Sequence, residues 1–227
     1  MSISASEKLA RLRLFRTENV GPITFHRLIS RFGTAEKALE ALPDLSRRGG
    51  SAAPLKPFPK EAAEKEIENA QKYGARLLVK DEADYPSLLA TLEDAPPVIT
   101  VMGQTSLLNK KILGVVGARN ASLSGRKIAE DFSGKIGHAG YVIASGLARG
   151  IDTAAHNASL ATGTIAVVAG GIDVIYPPEN EKLYHRIAAE GVIVAESPFG
   201  TEPIARHFPK RNRIISGLSL GVLVVEA

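Results

Sequence analysis

The sequence predicts an α/β protein in which a small all-α domain precedes a doubly wound, mostly parallel sheet. Three observations carry this reading. Short apolar runs begin near Ile112, Tyr141, Thr164, Val192 and Leu220, spaced by roughly the 30 residues of a β-α-β unit. The segments between them, Gly125 to Ile136, Asp152 to Leu160, Glu181 to Glu190 and Pro209 to Ser216, carry helical spacing. The runs are continuously apolar rather than alternating, as befits strands covered on both faces. Strands alternating with helices define a parallel sheet of the Rossmann-like kind.

The elements follow in order. Residues 1–45 read as the helical domain. Leu9, Leu12, Leu14 and Phe15 suit one helix, which Asn19-Val20-Gly21-Pro22 ends. Ile23, Leu28, Ile29 and Phe32 suit a second, stopped by Gly33, and Thr34 caps a third over Ala35 to Ala41. A helix-hairpin-helix, which offers hairpin N–H groups to a nucleic-acid backbone, fits this pattern, and so does a sterile-alpha-motif-like interaction domain. The Gly-, Pro- and Ser-rich residues 46–59 read as a linker. Residues 60–227 then form the sheet domain. It opens with a polar helix, Lys60 to Tyr73, ended by Gly74. Arg76 to Val79 and Val98 to Met102 are expected to add strands to the sheet. The last run, Val222 to Val225, is apolar on both faces with no helix after it. The domain therefore reads as truncated at its C-terminus, with an adhesive edge.

Composition narrows the function. The chain has 227 residues, 44% hydrophobic and 23% charged, enough for one sizeable core plus a small extra domain. A net charge of +4 favours an anionic partner without identifying it. The absence of cysteine excludes a disulfide framework, a thiol nucleophile and a Cys-ligated zinc site. No apolar run approaches the ~18 residues of a membrane span. Glu7, Lys8, Arg11, Arg13 and Arg16 interrupt any signal-peptide pattern, so a cytoplasmic location is expected.

Ligands of such sheets bind beyond the carboxyl ends of the strands. There the sequence places Gly117-Ala118-Arg119, Ser145-Gly146-Leu147-Ala148-Arg149-Gly150, Gly170-Gly171 and Glu196-Ser197-Pro198. The turn at Gly117 leads into a helix with Ile128, Phe132 and Ile136 on its inward face. Free N–H groups at a helix start suit a phosphate, and Arg119 adds a bidentate fork of donors. Glycines here read as backbone donors that let a ligand come close. Asp152 reads as a helix cap with His156 one turn later. That pair suits a metal or an acid–base couple, but a cap beside a hydrogen-bonded histidine is the favoured reading, and no third ligand joins it. Dinucleotide, P-loop and nucleophile-elbow glycine motifs are all missing. No catalytic residue, metal or cofactor is expected.

The segment Arg206-His207-Phe208-Pro209-Lys210-Arg211-Asn212-Arg213 breaks a local rule. Bases at the start of a helix oppose the macrodipole by ~0.3–1 kcal/mol each. Such a conflict is expected where function has overridden stability. Ile214, Ile215 and Leu218 turn inward, so Lys210, Arg211 and Arg213 are expected to face the rim and hold phosphates beside Arg119. Charge reversal at Arg211 or Arg119 is expected to weaken binding while sparing the fold.

Together, Gly117-Ala118-Arg119, the stretch from Ser145 to His156, Gly170-Gly171-Ile172-Asp173-Val174-Ile175-Tyr176-Pro177, and the stretch from Phe208 to Ser219 resemble the DNA-processing protein A family (DprA, also called Smf). These motifs run in family order over most of residues 112–227, and the N-terminus resembles the family's helical domain less specifically. The resemblance implies a Rossmann-like domain that binds single-stranded DNA and helps load the RecA recombinase onto DNA entering by natural transformation. It implies no catalysis, and a homodimer in the complete protein. It carries over Arg119 and the Arg211–Arg213 region as DNA contacts, with the glycine loops as donors. The competing reading is a nucleotide hydrolase of the phosphoribohydrolase type. Its Gly-Gly-x-Gly-Thr loop is missing here, and Glu196 is the only spare carboxylate at a strand end.

Overall fold

The computed structural model describes residues 3–48 and 55–226. Three helices open the chain: α1 (Ala5–Arg16), α2 (Pro22–Phe32) and α3 (Ala35–Arg48). Ser4 caps α1 by accepting from the Glu7 N–H at 3.2 Å. Glu7 in turn accepts from the Ala35 N–H at 3.0 Å, so the first turn of α1 also caps α3. Gly33, with φ +81°, reverses the chain between α2 and α3.

Helix α3 continues past Ala41, with Pro43 inside it. Leu42 is buried in the core, and that burial outweighs the backbone hydrogen bond lost at the proline. Residues 46–48, expected as linker, are therefore helical. Residues 49–54 of that expected linker lie outside the described residues. The stretch from Leu55 is pinned to the helical module. Its Leu55 N–H donates to Ser46 Oγ at 2.8 Å, and the Phe58 N–H donates to Thr17 Oγ1 at 3.0 Å.

Next come α4 (Lys60–Lys72), β1 (Arg76–Val79), β2 (Val98–Gly103), β3 (Ile112–Gly117), α5 (Leu123–His138), β4 (Val142–Ser145), α6 (Ile151–Ser159), β5 (Thr164–Val168), α7 (Glu181–Glu190), β6 (Val192–Ala195), α8 (His207–Leu218) and β7 (Val222–Val225). The seven strands form one sheet in the order β1-β2-β6-β5-β4-β3-β7. The β6-β5-β4-β3-β7 block is parallel, while β2 joins β6 and β1 joins β2 antiparallel. The two early apolar runs thus extend the main sheet, as the sequence predicts.

Helices α5, α6 and α7 lie on one face and α8 on the other. The chain runs outward from β3 to β6, then returns over the sheet through α8 to place β7 on the far side of β3. That reversal opens a crevice at the carboxyl ends of the strands. One apolar cluster joins the helical module to the sheet, with Leu12, Phe25 and Leu42 packed with Val79, Val98, Tyr184 and Ile193.

Helix α5 buries a different face from the one expected. Gly125, Ala129, Ser133 and Gly137 point inward, whereas Ile128 and Phe132 are exposed and Ile136 is half-buried. A Cβ on Gly137 would strike Thr162, so close approach to the α6 hairpin demands small side chains there. Strand β7 is an edge strand. Leu223 and Val225 pack toward α5 and α6, while Val222 and Val224 are exposed on the other face rather than buried on both. Among the described residues no helix is long and apolar enough to cross a membrane.

Candidate nucleic-acid interface

The crevice is floored by the loop after β4. Every backbone polar group of Gly146, Leu147 and Ala148 has a partner inside the protein. The carboxylate of Asp152 accepts from the N–H groups of Gly146 (3.1 Å) and Ala148 (3.2 Å). His156 Nε2 accepts from the Leu147 N–H at 3.3 Å. The Gly146 carbonyl accepts from the Arg211 guanidinium. The Leu147 carbonyl accepts from the Asn180 amide at 2.9 Å, and the Ala148 carbonyl from the Thr153 hydroxyl at 2.8 Å. Leu147 is fully buried with φ +57°, a left-handed conformation that costs a non-glycine residue free energy. Its neighbours' side chains hold it there.

This arrangement corrects several expectations. Asp152 is not the cap of α6; Gly150 occupies that position and Asp152 reaches back to hold the preceding loop. His156 is buried and hydrogen-bonded, as the favoured reading has it. Because Nε2 accepts from Leu147, Nδ1 carries the proton and donates to Thr164 Oγ1 at 2.7 Å. Burial, and secondarily the Arg211 charge, push the His156 pKa down to about 3. Burial raises the Asp152 pKa, against the pull of Arg211. Neither residue is aimed outward to ligate a metal.

Arg211 is the largest correction. It is buried, and its guanidinium donates to the carbonyls of Gly146 and Val167. A Cβ on Gly146 would collide with it, so the approach Gly146 permits is that of the protein's own arginine. Burial lowers the Arg211 pKa to about 10, opposed by Asp152. Arg213 also turns inward, to the Asp94 carbonyl and the Glu196 carboxylate. Lys210 lies 3.6 Å from the same carboxylate with half of its side chain exposed. Glu196 is thus held in ion pairs, which leaves the hydrolase reading without its spare carboxylate. The basic turn of α8 is largely an internal electrostatic network.

Other glycines and Ser145 also face the protein. Ser145 is buried and donates to the Val115 carbonyl at 2.6 Å. Gly117 packs against the Val225 carbonyl, and Gly170 and Gly171 pack against the 198–203 loop. The Gly171 N–H is taken by the Thr201 carbonyl at 2.8 Å. Asn212 is exposed and accepts from Arg211 Nε at 3.1 Å. Arg206 is exposed at the N-cap position of α8, which starts at His207 rather than Pro209.

What remains at the surface is compact. A narrow cleft is lined by Arg119, Gly146, Arg149, Gly170, Tyr176 and Phe208, among others. The Arg119 guanidinium stacks 4.4 Å from the centre of the Phe208 ring. The Tyr176 ring lies 5.9 Å beyond and is 42% exposed. Arg149 closes the opposite wall in a loose, exposed pair with Glu179 at 3.4 Å. Tyr176 lies in a quoted motif, yet nothing in its spacing singles it out. Phe199, the other aromatic near the rim in sequence, packs against Tyr73 instead.

Arg119 is positioned from the far end of the sheet. The Ala118 N–H donates to the Glu226 carbonyl at 2.8 Å, and the Glu226 carboxylate accepts from the Ser122 N–H and hydroxyl at 3.0 and 2.8 Å. The loop from 118 to 122 is therefore clipped to the end of β7.

The cleft is thus a cationic, aromatic-walled crevice at the carboxyl ends of the strands of a Rossmann-like sheet, in a chain that also carries an N-terminal helical module. Comparison with known proteins narrows the class. The chain belongs to the DNA recombination-mediator protein A family, whose model matches residues 76–227; a DprA-like N-terminal HHH domain matches residues 5–69. The chain is 35% identical over 240 residues to Protein Smf of Synechocystis, covering 98% of this chain and 59% of that protein. It is 42% identical over 159 residues to DNA processing protein DprA of Bacillus subtilis, covering 69% of this chain and 54% of that one. It thus spans little more than half the length of these relatives. The X-ray structure of DprA from Streptococcus pneumoniae superposes with a TM-score of 0.80 at 30% identity, over 100% of this chain and 79% of that one. DNA processing protein A from Helicobacter pylori, described for its unique single-stranded DNA binding mode, gives 0.61 at 29% identity, over 66% of this chain and 68% of that one.

Proposed function

We propose that this chain binds single-stranded DNA in the cleft beneath Arg119 and Phe208, without catalysing a reaction, and serves as a recombination mediator. The observation that carries the reading is Arg119 stacked on Phe208, with the tilted Tyr176 ring beside them, in a cleft with no acid among its lining residues. The guanidinium suits a phosphate, and the aromatic faces suit an unstacked base of any identity. A duplex hides its base faces, so single strands are preferred. The single-strand binding described for the Helicobacter pylori protein supports this reading. Delivery of the strand to the RecA recombinase during natural transformation, and self-association in the complete protein, are further parts of the proposal and rest on family membership.

Fluorescence anisotropy with labelled single and double strands of equal length tests it. Arg119→Ala is expected to weaken single-strand binding at least tenfold and to flatten the log–log salt dependence by roughly 0.7 per lost phosphate contact. Phe208→Ala is expected to lose ~1–3 kcal/mol with little change in salt slope. Both residues are at or near the surface, so the melting temperature should hold. Equal affinity for duplex, or binding indifferent to both variants, would overturn the assignment.

A further inference from the structure

The cleft has a neighbour. A polar groove of about 610 Å³ opens between the starts of α5 and α6, and Arg119 and Arg149 line both spaces. Its remaining wall includes Asn120, Arg126, Glu130 and Asn157. Three arginines thus face one carboxylate. Arg126 and Asn157 are exposed, and neither side chain is part of the loop scaffold that holds the floor. Gly150 keeps the two loops in register: with φ +77° it sits against the carbonyls of Ala118 and Arg119, where a Cβ would clash. At the start of α5, Ser122 is held by the Glu226 carboxylate and accepts from the Gly125 N–H at 2.9 Å. An anion in this groove would meet the side chains of Arg119, Arg126, Arg149, Asn120 and Asn157. The groove has no aromatic wall, so nothing there grips a base.

We propose that this groove is a second, backbone-reading subsite: it holds phosphates and sugars of the same nucleic-acid strand after the strand leaves the aromatic cleft. This rests on the cleft being the single-strand site. The strand is gripped by base faces and phosphate at Arg119, then by phosphate and sugar alone along Arg126 and Asn157. Arg149, between the two, exchanges its loose pair with Glu179 for the strand.

The test is length dependence. Oligothymidylates of about 5 and about 20 nucleotides lie near the short end and beyond the long end of the ~4–16 nucleotide sites of single-strand-binding folds. Arg126→Ala and Asn157→Ala are titrated against both over a salt series. Arg126→Ala is expected to weaken the longer strand about fivefold and to lower its salt slope by roughly 0.7, leaving the shorter strand unchanged. Asn157→Ala should weaken the longer strand with no change in slope. Arg119→Ala weakens both lengths. If Arg126→Ala leaves the long strand and its slope untouched while Arg119→Ala still acts, the groove is solvated surface and the proposal fails alone. If Arg126→Ala weakens both lengths equally, the two spaces are one site and the proposal also fails. If the wild-type chain binds neither strand, the reading of the cleft falls and this one with it.

Discussion

Arg211 and His156 sit on opposite sides of the Gly146–Ala148 loop and hold it in different ways. The arginine is a charge buried to cap two carbonyls; the histidine is a neutral ring kept neutral by burial. Removing the guanidinium leaves the carbonyls of Gly146 and Val167 without their donor and Asp152 without a counter-charge. Arg211→Glu is accordingly expected to cost on the order of 3–5 kcal/mol of stability. Thermal unfolding should show a large drop, and DNA binding should fall only with the folded fraction. This reverses the outcome that the run of bases suggests. The charge pattern of α8 is visible in the sequence, but the direction of each base depends on carbonyls contributed by β4 and β5, far away in the chain. Arg119 differs: its loop lies at the rim, and its exposed guanidinium stacks on Phe208 instead of turning to a carbonyl of the sheet.

His156 also sets an acid limb. Its folded pKa, about 3, lies below the ordinary value of 6.5. Between those values the unfolded chain binds the proton and the folded chain does not, so stability falls as pH drops through this window. Asp152, with its raised pKa, works in the opposite sense and offsets part of the loss. Melting curves from pH 7 to pH 4 should show the descent, and His156→Gln should flatten it. A wild-type curve as flat as the variant's would sink this account.

At the scale of the element, α5 shows why hydrophobic spacing misleads. Ile128 and Phe132 recur at helical intervals and read as a core face. The contact with α6 selects for closeness instead, and Ala129, Ser133 and Gly137 supply it, while Gly125 makes room for Glu226. A stripe of small residues carries little hydrophobic signal, which is why periodicity points to the wrong face. The stripe contains one mismatch: among the described residues, Ser133 Oγ is a buried oxygen with no hydrogen-bond partner. Ser133→Ala is expected to stabilise the protein by about 1 kcal/mol, raising the melting temperature by about 2–4 °C. An unchanged or lower melting temperature would mean that the hydroxyl has a partner after all.

Over the whole molecule, the strand–helix rhythm places each strand from Ile112 onward within two residues of its observed start. That regularity is legible because buried parallel strands are continuous apolar runs. The joint between the helical module and the sheet is not legible. Its polar part includes Arg16, which pairs with the buried Glu66 of α4 at 2.8 Å and donates to the Glu196 carbonyl at 3.2 Å. Arg213 and Lys210 approach the Glu196 side chain from α8. Partners 50 and 180 residues apart leave no local pattern to read. Glu196 looks like a spare acid at a strand end and proves to be the hub of this joint.

The clip between Glu226 and the Arg119 loop carries a consequence in time. β7 reaches its place beside β3 only after the chain has travelled out to β6 and back through α8. Until then Ala118 and Ser122 lack the acceptors that fix their loop. Arg119 is made early during synthesis, but its loop is fixed late, when β7 docks. A sheet that lacks β7 carries Arg119 without the acceptors that fix its loop, so the geometry of the crevice is set only when β7 has docked.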